Sequence, residues 1–171
     1  MGHNLSCFNK AVGEYKKELK KTKPSGKLFL IELETNGTEP SMIKKLIDNH
    51  LIDYVAVDIK SPLIWEKYRE AAGIDSKKLF GRVKQSVRLL LKSKVEYEFR
   101  TTVVPGLLTE EDIIKIAEQI KGTKKYALQQ FIPNKSLQED YKHIKPYSLE
   151  KIEKIKKKVK NFLGVCEIRG V

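Results

Sequence analysis

Asp58 and Lys60 stand two residues apart at the end of an apolar run, so on a β-strand they put a carboxylate and an ammonium on one face. That pair suits a hydroxyl-bearing or zwitterionic ligand: a ribose or amine meets the carboxylate, and a carboxylate or ring nitrogen meets the ammonium. The alternative is a self-satisfied ion pair at a sheet rim. Glu34 and Asn36 share a face in the same way, and Gly37 frees the backbone for a sharp turn or a close approach to a ligand. Asn36 and Gly37 equally suit a helix-entry turn in which Asn36 or Thr38 satisfies free N–H groups. Glu34 fits that alternative less well, because a carboxylate directly after Leu33 is costly to bury without a partner. Arg100, with Thr102 on its face, sits inside a strand-like segment and needs an anion if buried: Glu34, Asp58 or a ligand carboxylate would serve. Of Gln129 and Gln130, one must face the helices or the rim, where an amide can read out a ligand.

Other chemistry-bearing residues carry less. His50 and His143 have no acid nearby at catalytic or metal-ligand spacing and read as solvated histidines. Trp65 and Tyr68, three apart, fit a packed loop helix. Gly-x-Gly-x-x-Gly and the P-loop pattern are not in the sequence, so a nucleotide-phosphate cradle has no support. Cys7 and Cys166 form no metal-type spacing, and reduced thiols are expected.

The elements that must position these groups alternate. Strands are expected at residues 28–33, 54–59, 97–104 and 126–131, with a short one at 165–168. Helices are expected through Ile43, Leu46, Ile47 and Leu51, capped by Thr38 or Ser41; through Leu79, Val83, Val87, Leu90 and Leu91; from the capping box Thr109 with Asp112 to Gly122; and from Ser148 through Ile152, Ile155, Val159 and Phe162. Residues 134–147 read as loop. Alternating strands and helices argue for an α/β fold with right-handed crossovers and a parallel sheet, either an open doubly wound sheet or part of a barrel. In either, polar strand ends line one rim, where ligands bind.

At 171 residues and 40% hydrophobic content, the chain can bury roughly 70% of its unfolded surface. Residues 28–171 read as one domain, and residues 1–27 as a basic helix set apart by Pro24-Ser25-Gly26. The sequence contains no membrane-length apolar run and no signal-peptide pattern at its start, so a cytoplasmic location is expected. The net charge of +12 raises nucleic acid as a partner. The runs Lys16–Lys23 and Lys154–Lys160 sit at helical spacing without interleaved aromatics, which favours solvated helix faces.

In order, Leu33-Glu34-Thr35-Asn36-Gly37-Thr38, Val57-Asp58-Ile59-Lys60, Tyr97 to Gly106, Leu128-Gln129-Gln130-Phe131 and Ile168-Arg169-Gly170-Val171 resemble the radical S-adenosylmethionine activating enzymes. The nearest likeness is to the anaerobic ribonucleotide reductase and pyruvate formate-lyase activases, over residues 28–171. The resemblance implies a partial, truncated (β/α)6-type barrel. In the family a [4Fe-4S] cluster reductively cleaves S-adenosylmethionine, and the 5′-deoxyadenosyl radical takes hydrogen from a glycine of a partner glycyl-radical enzyme. It further implies that Glu34, Asn36, Asp58, Lys60 and Arg100 lie at the S-adenosylmethionine wall, with Gln130 or its neighbour closing the adenosyl pocket.

The family's Cys-x-x-x-Cys-x-x-Cys loop and Gly-Gly-Glu-Pro segment are not in this chain. The resemblance therefore implies the wall of the pocket without the cluster ligands, and the expectation is a truncation, frameshift or displaced start that is inactive as it stands. An open sheet edge predicts self-association or pairing with another chain. The rival readings are a non-catalytic binding module that keeps the partner-docking face, and a basic nucleic-acid binder.

Overall fold

Polar and apolar residues alternate along each strand of a single five-stranded sheet, in a computed structural model that describes residues 30–135 and 139–170. The strands are β1 (Glu32–Thr35), β2 (Tyr54–Asp58), β3 (Glu96–Val103), β4 (Lys125–Gln130) and β5 (Val165–Arg169). All neighbours pair in parallel, and the spatial order is the chain order. A doubly wound sheet reverses direction at a switch point. This one never does. Of the two sheets that the sequence allowed, it has the progression of a barrel wall, a partial parallel β/α fold.

Because every crossover steps the same way, crossovers of one hand place the helices on one face. These are α1 (Pro40–Asp48), α2 (Trp65–Ala72), α3 (Lys77–Leu91), α4 (Glu110–Gln119), the single turn α5 (Glu139–Lys142) and α6 (Leu149–Val159). The core lies between this layer and the sheet. Val55, Val57 and Ile59 of the β2 segment, Tyr97, Phe99 and Val103 of β3, and Tyr126 and Leu128 of β4 meet Ile43, Leu46, Val83, Leu90, Ile116 and Ile155 of the helices. The opposite parity of each strand carries the polar residues.

Local chemistry sets the helix starts. Ser76 accepts from the Leu79 N–H and Ser148 from the Lys151 N–H, while Thr109 and Asp112 close the expected capping box. At α1 the expectation of a Thr38 or Ser41 cap fails. Glu39 holds that position without a side-chain bond, and Pro40, pre-set in φ and lacking an N–H, starts the helix. The first strand also lies later than the apolar run suggested, at Glu32–Thr35, because its pairing with β2 aligns Glu32 with Tyr54 and Thr35 with Val57. The stretch 134–147, expected as loop, instead takes in the end of a 3-10 turn, Pro133–Lys135, and α5. The helix expected before residue 28 lies outside the described residues. Among those described, no helix is long and apolar enough to cross a membrane.

Candidate functional site

The sheet face turned away from the helices is a network of charges. Its centre is Glu98 on β3, whose carboxylate is only 1% exposed. Arg169 of β5 donates to both of its oxygens, Arg100 donates to Oε1, and the Tyr54 hydroxyl donates to Oε2 at 2.9 Å. The Lys125 ammonium stands 3.7 Å away. Burial alone would raise the carboxyl pKa, but the bonds from Arg169, Arg100 and Tyr54 outweigh it and hold the group at about 2. Arg100 is shared further, donating to Glu32 at 2.6 Å and to Glu34. Arg169 also donates to Glu167 at 3.0 Å. Every charge of the inner group thus has a partner of opposite sign, as buried charges require.

Above this network, toward the carboxyl ends of the strands, a cleft of about 760 Å3 opens. Its floor presents Lys60, Thr102, Gln129, Gln130 and Arg169, and one wall is the end of α2, Glu70 to Gly73. Phe131, Tyr141 and Leu107 add apolar surface. Gln129 and Gln130 reach the cleft from opposite faces of β4. Thr102 lies 3.4 Å from Gln129, whereas Gln130 Nε2 donates to the Tyr147 carbonyl at 2.8 Å. The Gln130 Oε1 atom is buried with no hydrogen-bond partner among the described residues, an acceptor left without a donor in a side chain that lines the cleft. Cation, hydroxyl, amides and an apolar wall converging on one cavity match a ligand with a ring at one end and charge at the other.

The structure divides the six residues singled out from the sequence. Asp58 and Lys60 form a rim ion pair of 2.8 Å, each about 40% exposed. Lys60 also lines the cleft, together with Gln130. Glu34 and Arg100 are joined, but in the charge network below the cleft. Asn36 shapes a turn, its side-chain oxygen accepting from the Thr38 N–H at 3.1 Å and the Thr38 hydroxyl at 2.7 Å. Two residues at the centre were not singled out. Glu98 and Arg169 stand only inside segments of the resemblance. The available signal was the strand alternation, which puts Glu98 on the Arg100 face and Arg169 on the face of Glu167.

Among the described residues, no group of three or more His, Cys, Asp or Glu side chains could hold a metal ion. Cys166 lies on the helix side of β5, and burial pushes its thiol up to about 11, away from the thiolate a metal needs. These residues do not fit an iron–sulfur cluster.

Over 147 residues the chain is 37% identical to the "putative glycyl-radical enzyme activating enzyme" of Methanocaldococcus jannaschii. The match takes in 83% of this chain and 60% of that relative, so the chain spans less than two thirds of the protein it matches. No protein-family model matches the chain. The relative's activity is of the class that the ordered strand-end segments resemble, and the sheet is a partial parallel β/α fold.

Proposed function

We propose that this chain forms the S-adenosylmethionine-facing wall of a glycyl-radical enzyme activating protein. The observation that carries the reading is the 37% identity over 147 residues to a relative with that printed description. The cleft supports it chemically. Lys60 offers an ammonium to the methionine carboxylate, with Asp58 beside it for an amine or ribose hydroxyl. Thr102 and Gln129 offer further donors, and the unpartnered Gln130 Oε1 accepts from an adenine amine. Phe131 and Leu107 exclude water from the ring. Glu34 and Arg100 hold the strands beneath the ligand through the Glu98 network, and Asn36 fixes the turn that ends β1. When bound, S-adenosylmethionine supplies the deoxyadenosyl group that the family turns on a glycine of its partner. The partner is by the same reading a glycyl-radical enzyme such as anaerobic ribonucleotide reductase.

Calorimetric titration of the full chain with S-adenosylmethionine tests the reading. One-site binding is expected, weakened about tenfold by Lys60→Ala, the effect of losing one charge-assisted bond. No saturable binding up to millimolar ligand, or binding unchanged by Lys60→Ala combined with Thr102→Val, overturns it. Reconstitution of this chain with iron and sulfide is expected to give neither [4Fe-4S] absorption nor cleavage of the ligand, since its two cysteines, Cys7 and Cys166, cannot supply a three-thiolate loop.

A further inference from the structure

The outer face of α3 works against its own helix. Residues 76–95 contain seven cations, Lys77, Lys78, Arg82, Lys84, Arg88, Lys92 and Lys94, and no carboxylate. With Phe80, Val83, Ser86, Val87 and Leu90 turned to the core, helical geometry gathers the cations on the opposite arc. Between Lys77 and Lys92 that arc runs roughly 22 Å along the axis. Lys78 with Arg82, Lys84 with Arg88, and Arg88 with Lys92 are like-charged pairs one turn apart, each unfavourable to the helix. Lys77 and Lys78 also sit in a first turn without an acidic residue, where the helix dipole disfavours positive charge.

Other helices balance their charges. Lys154 pairs with Glu150 at 2.8 Å and Lys156 with Glu153 at 3.7 Å on α6, and Lys44 pairs with Asp48 at 2.6 Å on α1. On α3 only Arg82 has an ion-pair partner among the described residues, Glu39 at 2.8 Å. Lys77 and Lys84 lie over the rings of Trp65 and Phe80. Lys78, Arg88, Lys92 and Lys94 are exposed.

We propose that α3 is a docking ridge for the phosphate backbone of B-form duplex DNA, independent of the cleft. Charge complementarity selects the partner class. Protein interfaces are depleted in lysine and need apolar anchors, of which this arc offers only the half-buried Leu89. Interfaces with DNA are polar and strongly basic. The arc carries no aromatic platform for unstacked bases, which disfavours single strands. A helix of about 10–12 Å diameter enters the major groove of B-form DNA, about 12 Å wide, whereas side chains cannot read the deep, narrow major groove of A-form RNA. Backbone contacts of this kind carry no sequence preference.

The test is fluorescence anisotropy of a labelled mixed-sequence DNA duplex with the full chain across salt. With about four phosphates neutralised, log K is expected to fall against log salt with a slope near −3.6, roughly a hundredfold between 50 and 200 mM. The variant Lys78→Gln/Arg88→Gln/Lys92→Gln is expected to bind at least about tenfold more weakly and to lose about three units of slope. The variant Lys154→Gln/Lys157→Gln/Lys160→Gln removes the same charge from the α6 region and is expected to change affinity less than about twofold. Circular dichroism of both variants separates lost binding from lost fold. Equal losses in the two variants, a wild-type slope near zero, tighter binding to an RNA duplex, or tighter binding to polyglutamate would each overturn the proposal, the last by making the partner an acidic protein.

Discussion

Arg169 on β5 sets its two terminal nitrogens on the two oxygens of Glu98 on β3, at 2.6 and 2.7 Å, across the intervening strand β4. The span is open because Ala127 occupies the β4 position paired with Arg100 on one side and Glu167 on the other, and its methyl group leaves room for a guanidinium to pass. The fork geometry of Arg makes the contact bidentate. Since Arg100 ties the same carboxylate to Glu32 and Glu34 of β1, one buried acid connects both edges of the sheet. It also fixes Arg169, which lines the cleft.

The network makes stability depend on pH with a definite sign. The Glu98 carboxyl is held near 2 in the folded chain and titrates near 4.5 when unfolded. Its stabilisation is present in full above about 4.5 and is lost as pH falls toward about 2; the shift corresponds to about 3 kcal/mol. Urea unfolding of the wild type is expected to show that loss. Glu98→Gln is expected to be about 3 kcal/mol less stable at pH 7, because it removes the buried charge that two guanidinium groups share and leaves Arg100 only Glu32 and Glu34 and Arg169 only Glu167, and to lack the titration in this window. Parallel pH profiles for the two proteins would remove Glu98 from this role.

Local features of the fold were legible before the structure, and distant ones were not. Asp58 and Lys60 meet because a strand returns every second side chain to one face, a rule that acts over two residues. The Thr109–Asp112 capping box acts over three. Glu34 is one of the anions open to Arg100 from the sequence, but Glu32 lies inside a mostly apolar run, and only the pairing shows Ile31, Leu33 and Thr35 alternating with Glu32 and Glu34. The Glu98–Arg169 contact spans 71 positions and a third strand, and it depends on the register of two separate pairings. Nothing in either residue's neighbourhood announces it.

Gly37 shows a similar dependence on distant packing. Its φ is +78°, and a Cβ placed there would lie 3.3 Å from Val57 Cγ1. Ser86 of α3 donates to its carbonyl at 2.6 Å in a buried bond. Gly37→Ala is expected to cost about 2 kcal/mol from the left-handed backbone and the displaced Val57. Ser86→Ala is expected to cost about 1–3 kcal/mol by stranding the carbonyl. Thermal melts should register roughly 2–4 °C per kcal/mol in a chain of this size. A Gly37→Ala protein as stable as the wild type would show that the turn relaxes without strain.

Cys166 gives a chemical readout of burial on the helix side of β5. With the thiol pushed up to about 11, only about 0.1% is thiolate at pH 8, against roughly a quarter for an unperturbed cysteine of pKa about 8.5. In a Cys7→Ser background, alkylation by iodoacetamide at pH 8 is expected to run about two hundredfold slower than in urea, where the burial is gone. The rate of the folded protein is expected to keep rising tenfold per pH unit past the range where an ordinary thiol levels off. A plateau near pH 9 would mean that the thiol is solvated and its thiolate accessible. That result would also weaken the ground for separating Cys166 from metal chemistry, which rests on its being held as a neutral, packed thiol beside the core.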